Sequence, residues 1–122
     1  WVMLDYPRWF GREDVFAIRT MFWWGNTFST TLHLKGRYKD LYLPVIEQRW
    51  MELAAAGFHV GLSDDEWRHE HSTGNYGILK GMESLRGERD FLKLSAAVGL
   101  HRWDDAPDLL LGMFKTLINV LF

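Results

Sequence analysis

Between Leu62 and Gly77 the chain reads LSDDEWRHEHSTGNYG, an acidic triplet followed by Arg68, His69, Glu70 and His71. Imidazoles around a carboxylate can hold a divalent metal or exchange protons near neutral pH. Glu66 and His69 have the Glu-x-x-His spacing that places both side chains on one helical face in di-iron carboxylate bundles. That chemistry needs a second such pair and two further glutamates, and no second Glu-x-x-His occurs. His69 and His71 stand two apart and diverge on a helix. A zinc site would need Glu70, His33, His59 or His101 to converge from elsewhere. There is no His-Glu-x-x-His, no Gly-x-Ser-x-Gly elbow and no Walker loop, and Gly74, Gly77 and Gly81 do not match a dinucleotide fingerprint.

The same run has a structural explanation. Ser63-Asp64-Asp65-Glu66 spells a capping box, in which Ser63 accepts from the N3 amide and Glu66 reaches back to the Ser63 amide. Leu62 and Trp67 occupy the N′ and N4 positions of a hydrophobic staple. Asp64 and Asp65 complement the positive end of the helix dipole. The expectation is a helix start, with no catalytic group, no metal ligand and no cofactor.

Composition narrows the classes. A chain of 122 residues is one domain by default. Its 48% apolar and 25% charged residues are ordinary for a soluble globular protein. The aromatic share is high, 16% with seven Trp. Each large ring buries roughly 150–250 Å², so the rings must fill the core, line a pocket or meet a partner. A net charge of −2 argues against nucleic-acid binding, and the basic cluster Lys35, Arg37, Lys39 is short and followed by Asp40. The absence of cysteine excludes disulfides, thiolate metal sites and a cysteine nucleophile. The chain opens on Trp1, so it does not test for a leader peptide. The apolar tail from Leu109 to Phe122 falls short of the about 20 residues that a membrane span needs. A cytoplasmic protein without a membrane span is expected.

The elements that would position these groups read as helices. Val15, Ile18, Phe22 and Gly25 share one helical face, broadened by Phe16, Trp23 and Trp24, which predicts a central helix from about Glu13 to Trp24. Glu13 and Asp14 would sit at its positive end. In TFSTTLHLKG, Phe28, Thr30, Leu32 and Leu34 alternate like a strand face but also continue a helix. Helix is preferred, because only Phe58–Leu62 offers a partner strand and two short strands alone are marginal. Lys39 to Ala56 carries Leu43, Ile46, Trp50 and Leu53 at helical spacing, with Pro44 near its first turn and Gly57 as a left-handed cap. Beyond the capping box, Trp67, His71, Gly74, Ile78, Met82 and Leu85 form one stripe. Gly74, Gly77 and Gly81 along it suit close approach of a backbone or ligand, or else the helix breaks near Gly74-Asn75. A further helix is predicted over about Glu88 to Leu100, with Phe91, Leu94 and Val98 inward. His101 to Asp105 reads as a loop. Pro107 then opens a last helix carrying Leu110, Met113, Phe114, Leu117 and Leu121.

The sum is a single all-α domain over residues 1–122, a compact bundle of about five irregularly packed helices, with 28–34 and 58–62 as the two places where short strands compete. Such a domain suits a non-enzymatic protein-binding module, for instance a small inhibitor or immunity-type protein that neutralises a partner toxin or enzyme. Its expected interaction surface is Asp64, Asp65, Arg68, His69, Glu70, His71, Asp104 and Asp105, acidic for steering and close to aromatic anchors. One rival is a helical pocket protein that binds or transforms a small apolar ligand among Trp23, Trp24, Trp50 and the glycine face. Another is a metal-dependent hydrolase in which three of His33, His59, His69, His71 and His101 converge.

Overall fold

The computed structural model describes residues 2–10, 13–22, 27–61, 76–79, 91–99 and 106–122. In chain order these form β1 (Val2–Phe10), β2 (Val15–Phe22), β3 (Thr27–Lys35), α1 (Arg37–Gln48), α2 (Trp50–Ala55), β4 (His59–Gly61), β5 (Tyr76–Ile78), β6 (Phe91–Gly99) and α3 (Ala106–Leu121). The strands make one sheet in the order β1-β2-β3-β6-β4-β5, antiparallel throughout. No helix among the described residues is long and apolar enough to cross a membrane.

This architecture overturns the all-α bundle. The segment expected as a central helix from Glu13 to Trp24 holds β2, and the segment from Glu88 to Leu100 holds β6. Residues 27–35 are a strand, and Tyr76–Ile78 interrupts the helical stripe drawn through Ile78. The reason is burial on both sides of the sheet. In β2, Val15 through Arg19 are all buried, and in β6 Phe91 through Ala96 are all buried. A strand covered on both faces loses the apolar–polar alternation that marks a half-buried one and reads as a continuous apolar run. β3 has a full-length partner on each side, β2 and β6, where the sequence offers only the short Phe58–Leu62 segment.

The even-numbered residues of the central strands make the apolar face. Phe16 and Ile18 of β2, Leu32 and Leu34 of β3, and Leu92, Leu94 and Ala96 of β6 pack with Ile46 of α1, Leu53 of α2, and Leu117, Val120 and Leu121 of α3. The helices therefore form a second layer over one face of the sheet. Burying each Leu or Ile contributes about 1.5–3 kcal/mol. β1 ends the sheet on one side. Its register against β2 shifts between Asp5 and Arg8, so Tyr6 and Pro7 lie opposite Ile18 alone. Proline has no amide to donate, and a bulge on an edge strand is where a sheet tolerates it.

The helix ends are anchored by specific bonds. Asp14, just before β2, accepts a 2.9 Å bond from the Arg37 amide and so caps α1 from outside that helix. Gly36 supplies the turn with φ 63°, and a Cβ there would collide with the Asp14 carboxylate and the Glu13 carbonyl. At the end of α2, Gly57 takes φ 92° and donates to Ala54, while Phe58 donates to Leu53. Those are the two bonds of a Schellman motif, so the expected left-handed cap at Gly57 is present. Between α1 and α2, Arg49 donates twice to Glu52 and once, at 2.6 Å, to the Asn119 carbonyl in the last turn of α3. Its hydrogen bond to Glu52 holds this guanidinium's pKa above its ordinary value.

Two outcomes follow from these contacts. Leu94→Ala removes a fully buried side chain at the sheet centre and should lower the urea unfolding free energy by about 2–5 kcal/mol. Asp14→Ala should cost about 0.5–2 kcal/mol through the lost cap, and Gly36→Ala about 1–3 kcal/mol because that backbone conformation is open almost only to glycine. Equal stability of wild type and G36A would contradict the turn described.

Candidate functional site

The odd-numbered residues of the same strands point away from the helices, and they carry polar groups. In one row Arg19 of β2 pairs with Thr31 of β3, Thr31 with Ser95 of β6, and Ser95 with His59 of β4. In the next row Ala17 pairs with His33, and His33 with Lys93. The register also sets Asp5 of β1 opposite Arg19. This face is as closed as the apolar one: Arg19 is 2% exposed, Lys93 3%, and Thr31, His33 and Ser95 are fully buried. Buried polar groups of this kind require partners, since each unsatisfied one costs about 1–3 kcal/mol.

The partners are largely one another. The Arg19 guanidinium donates to Nδ1 of His33 at 3.3 Å. Arginine has no acceptor, so this bond exists only when Nδ1 carries no proton, and His33 is then the neutral tautomer protonated on Nε2. The His33 ring meets Phe91 edge to face at 6.2 Å. Thr31 and Ser95 hydroxyls lie 2.7 Å apart. The Lys93 ammonium sits 5.8 Å from the centre of the Tyr76 ring, a cation–π arrangement. Gly61 lies between these two residues, and a Cβ there would come within 3.1 Å of Lys93 Cβ and 3.6 Å of Tyr76 Cε1. The missing side chain is what gives them room to meet. Arg19, His33, Lys93, Ser95 and Tyr76 also engage further groups of the fold. Ser29 Oγ, on the same face, and Thr30 Oγ1, on the apolar one, are buried without a hydrogen bond.

Arg, His, Lys, Ser and Thr on one surface are the residue types that bind anions and move protons. Here they are buried and paired, Arg19 with His33, Thr31 with Ser95, and Lys93 with the Tyr76 ring. Ser95 is bonded to Thr31, and the acceptor nitrogen of His33 is taken by Arg19. His59 turns its Nδ1 to the Gly57 carbonyl at 3.0 Å, which requires a proton on that nitrogen, the reverse of His33. Among the described residues no group of three or more His, Asp or Glu is placed to hold a metal ion.

Of the residues singled out from the sequence, His33 and His59 lie on this sheet, and most of the others are not among the described residues. Asp64, Asp65, Arg68, His69, Glu70, His71, Asp104 and Asp105 lie outside the described residues, as do the capping box from Ser63 to Glu66, Trp23, Trp24, Gly74, Gly81 and His101. Gly77 lies within β5, so the helical glycine face is not formed as expected. Trp50 packs, partly buried, against the core. The sequence offers His33 only as a possible metal ligand, and Arg19, Thr31, Lys93 and Ser95 not at all. Only β3 carries a regular signal, a polar residue at every second position from Thr27 to Lys35; on the same face β2 offers Arg19 alone and β6 only Lys93 and Ser95.

Comparison with known proteins gives no match: no family model fits the chain, and no curated protein or solved structure is significantly similar to it.

The Arg19–His33 contact can be measured directly. In a double-mutant cycle by urea unfolding, Arg19→Met and His33→Leu should each destabilise the fold and show a coupling energy of about 0.5–3 kcal/mol. Strictly additive effects would mean that the bond contributes nothing.

Proposed function

We propose that the protein is a non-enzymatic binding module for a protein partner, of the small-inhibitor or immunity type. The observation that supports this reading is how side chains divide between interior and surface. The reactive residue types on the sheet are closed from solvent and bonded together, whereas large apolar side chains stand in water on the helical layer. Leu41 of α1 is 62% exposed, Met51 of α2 66% and Leu111 of α3 50%. Exposed apolar groups beside charged ones supply anchors and steering for a protein surface. Asp64, Asp65, Arg68, His69, Glu70, His71, Asp104 and Asp105 are proposed as the polar part of the interface, and a cytoplasmic location belongs to the same proposal.

The test is affinity capture from cells that express the protein naturally, mass spectrometry of what is retained, and titration of the purified partner. One dominant protein binding at a defined ratio is expected. Leu41→Glu or Met51→Glu should weaken it at least about tenfold, equivalent to about 1.4 kcal/mol, with unchanged unfolding midpoints. Recovery of a stoichiometric small apolar molecule and no protein would overturn the proposal in favour of a ligand pocket.

A further inference from the structure

We draw no further inference here: the strongest candidate, the Arg19, His33 and Lys93 cluster on the sheet face turned away from the helices, is closed from solvent and bonded within the chain, so nothing in the structure shows a ligand there.

Discussion

β3 and β6 pair residue for residue from Thr27 with Gly99 to Lys35 with Phe91, and over most of that length neither face reaches water. A sheet buried on both faces must solve two different problems with one backbone. On the side of the helices it needs complementary apolar shapes, which Leu32, Leu34, Leu92 and Leu94 provide against α1, α2 and α3. On the other side its polar groups leave water and must find each other. A slip of one residue between β3 and β6 would turn one strand over relative to the other, driving either Lys93 and Ser95 or Thr31 and His33 into the apolar layer. The register is thus held by the penalty for burying charge without partners as much as by the gain from burying leucine.

That constraint bears on function. Imidazole, guanidinium, ammonium and hydroxyl groups side by side invite a catalytic reading, and many active sites are built from them. What distinguishes this cluster is the direction of its bonds. Arg19 occupies the nitrogen with which His33 would accept a proton from a substrate, and the two hydroxyls bind one another. Buried polar networks whose members satisfy each other rigidify a core and specify its pairing. Among the described residues the exposed large apolar side chains, Leu41, Met51, Leu111 and Phe122, lie on or just after the helices.

The helical segments are legible in the sequence and the sheet is not, although the single helix expected over Lys39 to Ala56 is two, parted at Arg49, with Pro44 inside the first. α1 with α2 and α3 keep a polar side in water, so Leu43, Ile46, Leu53, Met113 and Leu117 stand out at helical spacing. Gly57 and Pro107 act locally, through backbone conformations that need no knowledge of the rest of the chain. β2 and β6 are buried on both faces over residues 15–19 and 91–96, and Val15, Ile18 and Phe22 satisfy a helical period by coincidence. The sequence places Asp14 at the start of a helix, yet it precedes strand β2 and caps the helix that begins at Arg37. Such a contact is invisible to spacing. The polar cluster was hidden likewise, because Arg19, His33 and Lys93 become neighbours only through strand pairing.

Amide hydrogen exchange under native conditions, read residue by residue, tests the central claim most directly. If β3 and β6 form the doubly buried centre of the sheet, the inter-strand amides of residues 29–34 and 91–96 exchange slowest in the chain, at rates set by global unfolding. Fast exchange across 91–96, with the deepest protection confined to 37–55 and 106–121, would contradict it. The core would then be helical, and the separation of an apolar face from a polar one would have no basis.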